Sequence, residues 1–141
     1  MDKGIYTLIL GSEGANIEIG ALGTITIPKG YLIYVGSALG HGGLGRISRH
    51  EKTADDGRRP HWHIDYLLQH PSTRLIASVA APTKERLECS LADAIAGSSI
   101  SGFGASDCRC RSHLFARMDD PASDIADIFS SLGLIATIRR Y

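Results

Sequence analysis

Two β-rich runs separated by turn residues constrain this chain more than any other feature. Residues 5–10 read Ile-Tyr-Thr-Leu-Ile-Leu and residues 31–35 read Tyr-Leu-Ile-Tyr-Val. β-branched and aromatic residues dominate both, and such side chains pack well on a pleated surface. Between them, Gly11-Ser12-Glu13-Gly14 reads as a turn. Ile17 and Ile19 flank Glu18, Ile25 and Ile27 alternate with threonines, and Pro28-Lys29-Gly30 is a break. The chain is therefore expected to open as antiparallel strands joined by short turns.

The remainder mixes both periods. Glycines crowd residues 36–45, and Leu44, Ile47 and His50 then follow at helical spacing, which predicts a short helix over 43–51. Residues 52–59 read as a polar loop and 61–69 as a helix with Ile64, Leu67 and Leu68 inward. A strand is expected over 75–80. A helix over 84–96 follows, with Thr83 as its N-cap and Leu87, Leu91, Ala94 and Ile95 as its stripe. Residues 98–106 read as a loop, 113–118 as a strand, 124–132 as a helix and 134–138 as a last strand. No βαβ rhythm appears, so the expected class is α+β: a small, mainly antiparallel sheet, a three-stranded core plus extra strands, flanked by helices.

With 141 residues the chain suits one domain with a real core. No apolar run approaches the length of a membrane span, and residues 1–4 lack signal-peptide blocks, so a cytoplasmic location with no membrane partner is expected. Three cysteines, Cys89, Cys108 and Cys110, make an odd set for a disulfide framework and fit reduced thiols better. A net charge of zero argues against coating nucleic acid by bulk electrostatics. Charge is uneven, however: Arg46, Arg49, Lys52, Arg58 and Arg59 fall close together with His50, His61 and His63 among them. They form a solvated mixed-charge segment or a phosphate-facing one.

Several residues are candidates for chemistry. Tyr6 and Tyr34 are either half-buried strand aromatics or, if their strands pair, two phenols sharing one face. A phenol has an ordinary pKa of about 10, and it works as a base only with cationic help or as a proton relay. Arg46 and His50 stand i,i+4 on one helix face. A guanidinium grips phosphate oxygens in a forked geometry, and an imidazole moves protons near neutral pH. Glu88 borders an apolar stripe, where a carboxylate needs a partner or a metal, unless it simply pairs with Lys84. His61, His63 and Asp65 surround Trp62, in an arrangement better suited to structural or substrate contact than to a metal. Cys108, Cys110 and His113 offer only three local zinc ligands, so buried thiols are the favoured reading there.

The triplets Gly4-Ile5-Tyr6 and Tyr34-Val35-Gly36, with Arg46-Ile47-Ser48-Arg49-His50 after them, resemble the motifs of the GIY-YIG nuclease superfamily. The similarity spans roughly residues 4–96, with 97–141 as a C-terminal elaboration of the same single domain. Pro-His-Trp-His-Ile-Asp-Tyr at 60–66 and Gly-Phe-Gly-Ala-Ser-Asp-Cys at 102–108 resemble a prokaryotic subgroup of that superfamily. That subgroup is sometimes fused to an endonuclease III-type repair enzyme. The resemblance implies hydrolysis of a DNA phosphodiester with one Mg²⁺ or Mn²⁺ ion, in the setting of DNA repair or recombination. It implies that Glu88 holds the metal, that Tyr6 accepts a proton through Tyr34 or His50, and that Arg46 stabilises phosphate charge. Arg49, Lys52, Arg58, His61 and His63 would contact nucleic acid. The alternatives are an inactive nucleic-acid- or protein-binding module of the same fold, or a small zinc protein.

Overall fold

The computed structural model describes residues 2–56, 59–60, 62–95, 98–100, 103 and 112–141. The expected α+β class is what it shows. The strands are β1 (Gly4–Glu18), β2 (Thr24–Ala38), β3 (Thr73–Pro82), β4 (Ser98–Ser99), β5 (Leu114–Arg117) and β6 (Thr137–Arg140). Among the described residues they form one six-stranded sheet in the order β4-β5-β2-β1-β3-β6, with every pairing antiparallel. The helices are α1 (Arg46–Asp56), α2 (His63–Leu68), α3 (Glu88–Ala94) and α4 (Ala122–Ser131). Among the described residues no helix is long and apolar enough to cross a membrane.

The first two strands are far longer than their apolar runs. The expected turn at 11–14 is instead strand, with Gly11 opposite Tyr31, Ser12 opposite Gly30 and Glu13 opposite Lys29. The expected break at Pro28 is also strand. Proline cannot donate to a ladder, but β5 meets β2 only at 31–34, so Pro28 sits where one edge of β2 has no described strand beside it. Gly14, at φ 86°, absorbs the local irregularity opposite Pro28.

Two helix boundaries and one strand also differ from expectation. α1 runs on to Asp56, through residues read as a loop. Lys52 and Asp55 are exposed there. α3 starts at Glu88, so Lys84 lies outside it and the i−4 pairing expected for Glu88 does not exist. Thr83 caps no helix; its Oγ1 accepts the Glu85 N–H across a local turn. The last strand is shifted to Thr137–Arg140, where it pairs with β3.

The sheet is covered on both faces, so β1 is buried along Gly4–Leu10 on both sides. One face, carrying Ile5, Ile9, Ile33 and Val35, packs on Leu91 of α3 and on Ile125 and Phe129 of α4. The other face, carrying Tyr6, Leu8, Leu10 and Leu32, packs on Ile64, Leu67 and Leu68 of α2, with Ile47 of α1 against the same cluster.

Candidate functional site

Alternation along paired strands fixes the two tyrosines. Leu8 lies opposite Tyr34 and Tyr6 opposite Gly36, so Tyr6 and Tyr34 are diagonal neighbours on the face beneath α1 and α2. The Tyr6 ring lies directly over Gly36, where any Cβ would overlap it. Glycine at 36 is thus a requirement of this close approach. A 3-10 turn at Gly43–Gly45 feeds α1, with Gly42 and Gly43 at positive φ. This entry aims Arg46 and His50 back at the strands.

Tyr6 Oη and His50 Nε2 are 2.7 Å apart, and each residue is only 1% exposed. Burial, and then the nearby Tyr34, raise the Tyr6 phenol well above its ordinary range, against the lowering pull of Arg46. Burial pushes the His50 imidazole down to about 4; Arg46 and Arg49 push the same way and Asp65 opposes. At neutral pH the proton therefore sits on Tyr6, and the phenol donates to a neutral Nε2. The tautomer that accepts at Nε2 carries its proton on Nδ1, and this atom is buried without a hydrogen-bond partner. An unpaired buried donor is costly, and buried polar groups are usually satisfied. Tyr34 is half-buried, and desolvation pushes it up to about 12. Arg46 Nη1 donates to the Ser37 carbonyl at 2.7 Å, which tethers α1 to the end of β2.

The structure thus brings together Tyr6, Tyr34, Arg46 and His50 in one cluster. Glu88 stands at its margin. It heads α3, whose apolar side packs on the opposite face of the sheet. Its charge nevertheless acts on Tyr34 and on His113. His113 is 5% exposed, and burial lowers its pKa.

The expected nucleic-acid contacts are spread out. Arg49 joins the cluster, and Lys52 is exposed on α1. His63 is half-buried, edge-on to Phe103 with ring centroids 5.4 Å apart, and its pKa is lowered by desolvation. Arg58 and His61, like Cys108 and Cys110, lie outside the described residues. Cys89 corrects the expectation of reduced thiols: it is disulfide-bonded.

Of two further members of the site, Trp62 is not picked out from sequence, and Asp65 enters only as part of the run with His61 and His63, for structural or substrate contact. Trp62 stacks under guanidinium groups, and Asp65, 5% exposed, acts electrostatically on Tyr6, Tyr34 and His50. The available signal was an aspartate within an otherwise apolar helix face beside Ile64 and Leu68.

A divalent cation suits this donor set in one way only. Among the described residues no three His, Cys, Asp or Glu side chains converge as a ligand cage. Glu88 offers a single carboxylate, and Mg²⁺ is commonly held by one or two carboxylates while keeping several waters.

No curated protein and no solved structure matches the chain. The family model described as Domain of unknown function DUF123 matches residues 5–134, almost the whole fold including α4, and the chain therefore belongs to that family.

Proposed function

We propose that this domain is a metal-dependent endonuclease that hydrolyses a DNA phosphodiester bond. The observation that carries the reading is the buried Tyr6–His50 hydrogen bond beside Arg46. A phenol, an imidazole and a guanidinium placed together form a proton acceptor chain next to a phosphate grip. The resemblance to the GIY-YIG superfamily supports the same reading.

In this reading Arg46 and Arg49 receive the non-bridging phosphate oxygens. A water oxygen attacks phosphorus, one P–O bond breaks, and the departing oxygen leaves with the sugar. The attacking water gives its proton to Tyr6 Oη as Tyr6 passes its own to His50 Nε2. Arg46 and Arg49 depress His50 in the free protein. An arriving phosphate neutralises them, so His50 becomes a better acceptor when substrate is present. Glu88 would hold one Mg²⁺ or Mn²⁺ ion, which when bound stabilises charge on the leaving oxygen. The net charge of zero makes bulk attraction to DNA weak, so a repair or recombination partner supplies targeting.

The test is nicking of supercoiled plasmid in Mg²⁺ by the parent and by Glu88→Gln. A neutral amide holds a hard cation poorly. Nicking should fall by orders of magnitude in the variant, while gel-shift binding of the plasmid persists. Equal cutting by both removes Glu88 as the metal ligand. Binding without cutting by the parent makes the domain a nucleic-acid-binding module.

A further inference from the structure

We propose that Trp62, locked in place by Asp65, is a positioning residue that seats the Arg46 and Arg49 guanidinium groups and closes the His50 imidazole from water. The proposal rests on the nuclease reading only in treating the two arginines as a phosphate grip.

The geometry is specific. The Arg49 Cζ stands 4.4 Å from the Trp62 ring centroid and the Arg46 Cζ stands 5.2 Å from it. Both lie within the range where the negative face of an indole attracts a cation. Two guanidinium groups three residues apart on α1 repel each other, and each has many rotamers in water. A shared indole gives both a common partner, and the Arg46 bond to the Ser37 carbonyl holds the same guanidinium group through Nη1. The same ring lies 6.0 Å from the His50 ring. It forms one wall around an imidazole that is 1% exposed.

Trp62 is itself held. Its backbone N–H donates to Asp65 Oδ2 at 2.9 Å, and the Asp65 backbone N–H donates to the Trp62 carbonyl at 3.0 Å. This pair of bonds ties the residue before α2 to the helix's first turn. The buried Asp65 carboxylate thereby anchors the platform and also acts on His50. The groups that face His50 come from every element around it: Tyr6 from β1, Tyr34 from β2, Arg46 and Arg49 from α1, and Asp65 from α2.

The test is side-chain NMR of the full chain as the parent, Trp62→Phe and Trp62→Leu. In the parent, the Arg49 and Arg46 δ and ε protons should be displaced upfield by the indole ring current, more for Arg49. His50 should titrate far below the ordinary imidazole range. Trp62→Phe should keep both signatures in weaker form. Trp62→Leu should abolish the upfield shifts and move the His50 midpoint up towards its ordinary value. Arginine signals at unshifted positions in the parent overturn the proposal even if Trp62→Leu fails to fold. So does a folded Trp62→Leu whose His50 midpoint is unchanged. In plasmid nicking, Trp62→Phe should rescue most of the activity lost in Trp62→Leu, with KM raised and the pH optimum shifted in the latter. Expected spectra from a parent that does not cut DNA uphold the positioning and overturn the nuclease reading.

Discussion

Beneath α3 and α4 the sheet buries Ile5, Ile9, Ile33 and Val35 against Leu91, Ile125 and Phe129. Beneath α1 and α2 the same strands bury Tyr6 against His50, with Asp65 and Trp62 close by. On the first face, by strand alternation, lies Thr7, whose buried hydroxyl has no hydrogen-bond partner among the described residues. On the second, polar groups are the organising feature. The imidazole is held neutral, the phenol is held protonated, and one imidazole nitrogen is left unpaired. The unpaired nitrogen lowers stability outright, and the neutral imidazole lowers it once pH falls below the ordinary imidazole range. The contrast is a division within one sheet: one face is packed mainly by aliphatic and aromatic side chains, and the other gathers buried titratable groups of the kind that the proposed function requires.

The largest expected effect lies on the cohesive face. Phe129→Ala removes a fully buried ring from α4. It should cost about 3–5 kcal/mol in denaturant unfolding. Where the variant remains folded it should leave the His50 titration in place. A shifted His50 midpoint would show that the two faces are coupled.

The next effect is a pH dependence owed to the other face. His50 is lowered to about 4 in the fold, from an ordinary 6.5. The unfolded chain therefore binds more protons through that window. Stability should be fully present above about pH 6.5 and fall as pH drops towards 4, by up to about 3 kcal/mol from this one group. His63 and His113 are lowered too, and act in the same direction. Urea midpoints measured at stepped pH would check this. Replacing His50 with Gln should flatten the slope, and an unchanged slope would place the titration elsewhere.

The smallest effect sharpens the contrast. Thr7→Val keeps the shape of the side chain and removes the unpartnered hydroxyl. It should raise stability by about 1 kcal/mol with no change in nicking. A loss of stability would mean that this hydroxyl has a partner after all.

Much of the fold was legible in the sequence. The apolar runs at 5–10 and 31–35 mark the buried centre of the hairpin, and Ile64, Leu67 and Leu68 mark the inward side of α2. What misled was punctuation. Glycine and proline signalled turns at 11–14 and 28–30, but Gly11 and Ser12 pair with strands on both sides, and Pro28 is tolerated because one edge of β2 has no described strand beside it there. The site was legible as residue types. Its wiring was not, because the Tyr6–His50 bond joins residues 44 positions apart through a strand register and a helix entry. Trp62 was overlooked because the histidines beside it drew the chemical reading. Its role depends on α1 and α2 lying together, which no local pattern states. The disulfide at Cys89 was hidden because an odd cysteine count argues for reduced thiols.

The central claim is that the polar face exists to move a proton. Tyr6→Phe tests it most directly, since it removes one oxygen and keeps the ring that covers Gly36. The measurement is the single-turnover rate of plasmid nicking in Mg²⁺, read beside thermal unfolding of the same sample. The account predicts a rate lower by roughly 10²–10⁴-fold, with folding intact. Nicking by Tyr6→Phe at the parent rate would contradict it.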